Sequence, residues 1–484
     1  MNRTRQVRLI SLRCGFVEKR KGTKEMEQKE NKMGYMPENK LLMSMSLPIM
    51  ISMIIQALYN IVDSMFVAQL SQDALTGVTL AFPMQNLMIA VGTGTGVGIS
   101  SYLSKSLGER NRALASNVAK NGILLGFFSW LLFVLIGIFA ARPFIASQTE
   151  AEAVIGYGTE YLAICSTLSF GIFGQLIFER LLQATGKTIF TMITQATGAV
   201  INIILDPILI FGYFGMPKMG IAGAAAATVI GQVIAMLMAL MFNLKKNKEI
   251  EFSFKGFRPS APIIKRIYAV GFPSIVMVAI SSVMTFAMNK ILDGFSTVAT
   301  NVFGIYFKLQ SFAVMPVFGL NNGMIPIISY NYGAKNRKRI LKTVRLSLTY
   351  AFCIMLVCIA IFQIFPEQLI SMFATEGETN TALFEMGVPA LRIMSVSFIL
   401  AGVCIVMCSV FQALGNGVLS LIESAARQLV VLVPVAYLMS LMGNVQLIWW
   451  SFPIAELMSL ACCVVFYIYI DRKIIRNIPL EPEK

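Results

Sequence analysis

A succession of long apolar segments constrains the fold of this chain more than any other feature of its sequence. A helix that crosses a bilayer needs about 20 predominantly apolar residues. Twelve such segments are continuously apolar rather than alternating, which favours helices over the strands of a barrel. Their approximate ranges are 41–69, 76–104, 113–140, 154–180, 189–213, 219–244, 262–292, 297–328, 340–364, 384–412, 418–441 and 446–471. We therefore predict an all-α membrane protein with twelve transmembrane helices.

The composition agrees with this class of protein and excludes several others. Charged residues make up only 13% of the 484 positions, about half of the roughly 25% found in soluble domains. The chain has no histidine, which excludes imidazole-based metal sites and Ser-His-Asp or Cys-His nucleophiles. Its eight cysteines lack CxxC spacing and so carry no zinc signature. We predict that the protein is not an enzyme and needs no cofactor.

The distribution of basic residues predicts the orientation in the membrane. Of the 40 basic residues, 32 fall on one side of the predicted spans, and the outer loops hold only Arg142 and Lys218. Because basic residues concentrate on the cytoplasmic side of membrane proteins, both termini should be cytoplasmic and the protein should lie in the cell membrane. The net charge of +15 therefore comes from basic residues on the inner side of a lipid bilayer. We expect neither a nucleic-acid partner nor an obligatory protein partner.

An internal repeat divides the chain into two halves. Glycines and polar residues recur at a constant offset of 225, and the segments QATG (183–186) and QALG (412–415) recur at an offset of 229. The residues at the first offset are Gly94, Gly98, Gly108, Asn111 and Arg112, with partners Gly319, Gly323, Gly333, Asn336 and Arg337. Six spans per half is an even number, so both halves have the same orientation. This predicts two six-helix lobes related by a pseudo-two-fold axis along the membrane normal.

The repeat also gives the domain boundaries. We expect five segments, which are a polar, disordered cytoplasmic tail (1–40), an N-terminal lobe (41–244), a basic cytoplasmic linker (245–261), a C-terminal lobe (262–471) and a cytoplasmic tail (472–484). Residues 1–40 lack the apolar core of a signal peptide. Methionines at 26, 33 and 36 leave open whether residues 1–32 belong to the protein.

Buried carboxylates are the residues most suited to chemistry in such a chain, because each costs roughly 2.5–3.5 kcal/mol at a helix centre. Gln56, Tyr59 and Asp63 lie on one face of the first predicted helix, together with Asn60. Asn202 and Asp206 are four residues apart on the fifth helix, and Pro207 follows them. We predict a cation-coupling site at these acids, with interhelical hydrogen bonding that only stabilises the lobe as the alternative.

Other charged residues inside the spans fit structural roles better. Glu179 adjoins Arg180, which suggests snorkelling or local pairing, and Glu423 is four residues from Arg427, which suggests an ion pair. Glu456 has no evident role. The candidate residues for a cavity or substrate site are Lys290, Lys308, Arg392, Arg427 and Glu179.

The chain resembles the multidrug and toxic compound extrusion (MATE) family, in its bacterial MepA-type and DinF-type branch. The resemblance covers about residues 41–470 and depends on the repeat and on four segments. These are YNIVDSMFVAQL (59–70), NIILDPILIFG (202–212), QATGKT (183–188) and QALGNG (412–417). It implies efflux of cationic, lipophilic drugs or dyes in exchange for H+ or Na+, by rocking of two lobes.

The resemblance also implies a coupling network whose positions fall on residues that the helix periodicity selects. These are Gln56, Tyr59, Asp63, Asn202 and Asp206, and sodium at Asp63, Asn202 and Asp206 is the alternative to protonation. A threonine expected on the sixth helix is not clearly placed, because Ala224 stands near that point and Thr228 lies one turn later. Sodium-coupled relatives carry an acid on the seventh helix, where this chain has Asn289 and Lys290.

Two other functions remain open. A flippase for a lipid-linked precursor has the same architecture, and it would need Lys290, Lys308, Arg392 and Arg427 to line a cavity for an anionic headgroup. A non-transporting receptor or scaffold is the alternative from another class, but it needs neither the repeat nor the buried acids.

Overall fold

The computed structural model describes residues 31–373 and 379–479, which are almost entirely helical and contain no strand within those ranges. Ten helices there are long and apolar enough to cross a membrane. Two further spans are each formed by a pair of helices bent by 47°. The prediction of an all-α protein with twelve spans is confirmed.

We number the spans α1–α12. The first lobe contains α1 (Glu38–Ala68), α2 (Gln72–Gly108), α3 (Arg112–Phe139), α4 (Glu152–Thr167 and Phe170–Ala184), α5 (Thr188–Phe211) and α6 (Ile221–Lys246). The second lobe contains α7 (Ala261–Asp293), α8 (Thr297–Gly333), α9 (Arg337–Ile364), α10 (Thr379–Ser395 and Phe398–Ala413), α11 (Gly417–Ser440) and α12 (Ser451–Ile470). Short helices at Lys32–Tyr35, Ala141–Ala146, Pro366–Ser371 and Val445–Ile448 lie between the spans, and a π-helical stretch, Ala426–Leu432, lies within α11.

The sequence repeat corresponds to repeated local structure at the start and end of equivalent helices. Ser71 and Ser296 cap the N-termini of α2 and α8, each accepting a hydrogen bond from the backbone N–H three residues later. Asn111 and Asn336 cap α3 and α9 in the same way. The two lobes therefore use the same short polar residues to begin the same helices.

The repeated glycines lie where the two lobes meet. A Cβ atom at Gly108 would collide with the carbonyl of Tyr330, and one at Gly333 would collide with the carbonyl of Lys105. Gly98 lies in the same way against the backbone of Ile267. Small residues allow helix backbones to approach closely in membranes, so the glycine repeat brings α2 against α7 and α8.

Polar contacts reinforce this junction at one end of the molecule. The Ser101 hydroxyl donates to the carbonyl of Gln412 (3.1 Å), the Ser46 hydroxyl donates to the carbonyl of Leu320 (3.1 Å), and Arg180 donates to Asn322 Oδ1 (2.9 Å). We call this end the basic face and define it by loops 109–111 and 334–336, linker 247–260 and residues 31–37. The lobes are closed together at the basic face.

Residues 31–37 form a strap across both lobes, so the prediction of a disordered tail is wrong for this part of it, while residues 1–30 lie outside the described ranges. The Asn31 amide donates to the carbonyl of Thr185 (3.1 Å) in the first lobe. The carbonyl of Met33, whose side chain is fully buried, accepts from Asn331 (3.2 Å) and Arg339 (3.3 Å) in the second. Burial lowers the pKa of the Lys32 ammonium in this strap.

Candidate functional site

Two carboxyl groups meet inside the first lobe. Asp63 on α1 and Asp206 on α5 are within hydrogen-bonding distance of each other. Asp206 is fully buried, and Oδ1 of Asp63 is a buried atom without a hydrogen-bond partner among the described residues. Two adjacent carboxylates repel each other when both are ionised, so a shared proton or a bound cation is needed to hold them together.

Asn202 and Thr228 complete the polar contacts of this pair. In the amide orientation that satisfies its neighbours, Asn202 donates to Asp206 Oδ2 (3.3 Å) and accepts from the backbone N–H (3.1 Å) and hydroxyl (3.3 Å) of Thr228. Thr228 on α6, rather than Ala224, is therefore the threonine of the group. The sequence left this choice open because it depends on the rotation of α6 about its own axis.

Aromatic and thiol groups surround the acids, and sequence reasoning found only one of them. Tyr59 lies one turn before Asp63 on α1, as predicted from the helix periodicity, and it also interacts electrostatically with Asp206. Tyr161 and Cys165, one turn apart on α4, also interact electrostatically with Asp63. No spacing in the sequence links α4 to α1, so nothing could have indicated these two residues.

The remaining predicted members of the stripe are less enclosed. Gln56 lies two turns before Asp63 and is exposed, as is Asn60. The structure thus brings Tyr59, Asp63, Asn202 and Asp206 together, with Gln56 on the accessible part of the same helix. Pro207 lies inside α5, which remains one continuous helix to Phe211.

Glu179 and Arg180 do not form the local pair that the sequence suggested. The buried carboxylate of Glu179 accepts hydrogen bonds from Gln175 (3.0 Å), Thr194 (2.9 Å) and Gln195 (2.7 Å). Arg180 instead donates to Gln183 Oε1 (3.0 Å) and to Asn322 across the lobe interface. Side chains on consecutive helical residues point in different directions. Glu179 is therefore held inside the lobe by neutral donors, while Arg180 points towards the other lobe.

In the second lobe, acids are paired with a base. The predicted ion pair is present, with Arg427 Nε 3.8 Å from Glu423 Oε1, and Arg427 also donates to Glu456 Oε1 at 2.7 Å. This contact gives Glu456 the role that its sequence context did not reveal. Glu423 further accepts from Cys408 Sγ (2.9 Å) and from the Ser459 hydroxyl.

The other basic residues considered for a cavity are exposed. They are Lys290 near the end of α7, Lys308 on α8 and Arg392 on α10. The Lys308 ammonium lies 5.7 Å from the ring centre of Phe373. Since Arg427 is held by two acids, it is not free to join these three residues in an anion site.

Two pseudo-symmetric lobes of six spans, each with buried carboxyl groups, are an arrangement typical of membrane transporters. The chain belongs to the MatE family, whose sequence profile matches residues 48–208 and 273–438, once in each lobe.

Relatives and solved structures agree with this assignment. The chain is 28% identical over 435 residues to the multidrug export protein MepA of Staphylococcus saprophyticus. The aligned region covers 89% of this chain and 94% of that protein. It superposes with a TM-score of 0.86 on a MOP-superfamily transporter of Pyrococcus furiosus (25% identity; 94% and 100% of the two chains). It also superposes with a TM-score of 0.84 on an outward-facing multidrug resistance MATE transporter (26% identity; 94% and 99% covered).

Proposed function

We propose that this protein exports cationic, lipophilic compounds in exchange for protons that bind the Asp63–Asp206 pair. The observation that supports this best is the contact between two carboxyl groups in the first lobe, beside Asn202 and Thr228 and with no base in the group. Similarity to MepA-type multidrug export proteins supports the substrate class.

The exchange follows from the charge of the pair. When one proton is shared, Asp63 and Asp206 can stay in contact and remain buried. When that proton leaves, two anions remain in a site of low polarity, and they are stabilised by entry of water or by a nearby organic cation. Protonation therefore disfavours the drug and deprotonation favours it, which supplies the differential affinity that coupling requires.

The basic face has a defined place in this cycle. By the asymmetry of its basic residues it faces the cytoplasm, so the closed junction of α2 with α7 and α8 corresponds to an outward-open state. Opening inward requires the glycine contacts and the strap at residues 31–37 to separate. Protons enter from outside in the present state, and drugs enter after this junction opens.

Sodium is the alternative coupling ion. The carboxylate oxygens of Asp63 and Asp206 suit a hard cation, and the amide oxygen of Asn202 would join them only after the amide rotates, since in the orientation described above it faces Thr228. The donor set alone therefore does not separate Na+ from H+, and the experiment must vary the two gradients independently.

Accumulation of a cationic dye inside everted membrane vesicles, which corresponds to export from the cell, tests the proposal. We expect the Asp63→Asn variant to lose gradient-driven transport, because an amide keeps the shape of the side chain but cannot be deprotonated. Asp73→Asn is the matched control, since Asp73 is an exposed aspartate in the first turn of α2. Full transport by the Asp63→Asn variant would refute the role of the pair. Collapsing only the pH gradient should stop wild-type efflux; if only removal of sodium does so, Na+ is the coupling ion.

A further inference from the structure

Three helices of the second lobe bring two thiols and a carboxylate together. Cys404 lies on α10, Glu423 on α11 and Cys463 on α12, and their ligand atoms all lie within 4.8 Å of one another. All three residues are buried, with 1%, 2% and 0% of their surfaces exposed. These residues lie 19 and 40 positions apart in sequence, so this group exists only in the folded lobe.

Neighbouring side chains orient the carboxylate of this group. Cys408 Sγ donates to Glu423 Oε2 (2.9 Å) and the Ser459 hydroxyl donates to Oε1. Cys404 lies within hydrogen-bonding reach of Ser459, and Cys408 is close to Cys463. Second-layer donors of this kind orient ligands at protein metal sites.

The charge of the group suits exchange of two protons for one divalent cation. Glu423, Arg427 and Glu456 together carry one net negative charge. If a divalent cation binds while Cys404 and Cys463 each release a thiol proton, two positive charges enter and two leave. The net buried charge is unchanged, so binding adds no net charge to the low-dielectric interior of the lobe.

The ligand types select a soft ion. Calcium and magnesium prefer oxygen ligands, whereas thiolates favour zinc and other soft metals. A zinc–sulfur bond of about 2.3 Å places tetrahedral ligands about 3.8 Å apart, so ligand atoms that lie within 4.8 Å of one another need to approach by at most about one ångström. We propose that Cys404, Glu423 and Cys463 form a binding site for a soft divalent cation, zinc or cadmium, inside the second lobe.

Titration of the purified full-length protein with Cd2+ tests this site. We expect one ion to bind per chain, with a thiolate-to-cadmium absorption band and release of two protons. Binding should also raise the thermal midpoint, because the ion links α10, α11 and α12 in the folded state only. The Glu423→Gln variant, which keeps both thiols, should bind Cd2+ about 10–100-fold more weakly.

Two double variants make the titration decisive. Cys404→Ser/Cys463→Ser should abolish the absorption band and the thermal shift. Cys353→Ser/Cys358→Ser should retain both, because those cysteines lie on α9, one exposed and one half-buried. Unchanged elution and helix content will show that each variant is folded. A wild-type protein without the band, or a band that persists without Cys404 and Cys463, would overturn the proposal. Dye transport does not enter this measurement, so its outcome is independent of the proposed function.

Discussion

Both lobes bury carboxyl groups, but they compensate the negative charge in opposite ways. In the first lobe Asp63 meets Asp206, and the group contains no base. In the second, Arg427 lies between Glu423 and Glu456. Two acids in contact need an exchangeable proton or cation, whereas an acid beside arginine has a permanent counter-ion. This difference supports the proposal that the first lobe, and not the second, carries the coupling ion.

A second comparison concerns positions related by the offset of 229. Glu179 on α4 accepts from Thr194 on α5, and Glu423 on α11 accepts from Cys408 on α10. Position 179 corresponds to 408, and 194 corresponds to 423. The same interhelical contact is thus present in each lobe, with the acid on opposite helices. A repeat can preserve a contact while exchanging which helix supplies the charge.

The largest expected effect comes from replacing a carboxylate by an amide in each lobe and comparing transport by the two variants. Asp206→Asn should reduce proton-driven dye efflux to the level of vesicles without the protein, because the pair can no longer release its proton. Glu456→Gln removes a second-lobe carboxylate and should leave efflux close to wild type. Assays of dye accumulation in everted vesicles with matched protein levels measure both. Equal losses in the two variants would show that the lobes do not differ in this way.

The next effect concerns stability. Arg427→Met leaves Glu423 and Glu456 without their base, and an uncompensated buried charge costs about 3 kcal/mol or more. We expect a clearly lower thermal midpoint in detergent. Adding Glu423→Gln and Glu456→Gln should restore most of the loss, because no unpaired charge then remains. A midpoint unaffected by Arg427→Met would mean that the second lobe does not depend on this pairing.

A smaller effect is expected at the junction between the lobes. Gly108→Ala and Gly333→Ala should each destabilise the closed basic face by about 1–3 kcal/mol, because the added methyl meets a carbonyl of the opposite lobe. Distances between spin labels at the exposed positions 109 and 338 should lengthen in both variants. Gly156→Ala is the control, since nothing lies within 4 Å of its Cβ position. Lengthening in only one of the two glycine variants would contradict the pseudo-symmetry of the junction.

The smallest effect is expected at Glu179. Gln in its place keeps the shape but loses the charge that three donors stabilise, which should cost about 1–2 kcal/mol. The thermal midpoint should fall slightly while efflux per folded protein changes little. Loss of efflux without loss of stability would instead assign Glu179 to transport.

The sequence alone determined the features that are local to one helix or repeated along the chain. Hydropathy predicted the spans, because lipid requires continuous apolar helices. Periodicity placed Tyr59 with Asp63, Asn202 with Asp206, and Glu423 with Arg427, since residues three or four positions apart share a helix face. The constant offset of the glycines predicted two lobes, and the structure shows that these glycines lie at the junction.

Only the tertiary structure decided which helix faces meet. It selected Thr228 over Ala224, brought Tyr161 within electrostatic range of Asp63, and placed Cys404 near Cys463. It also gave Glu456 its base, 29 positions away in sequence. Such contacts depend on how each helix is rotated and inclined against its neighbours. Side-chain packing across the whole lobe determines that geometry, and no spacing within one segment contains it.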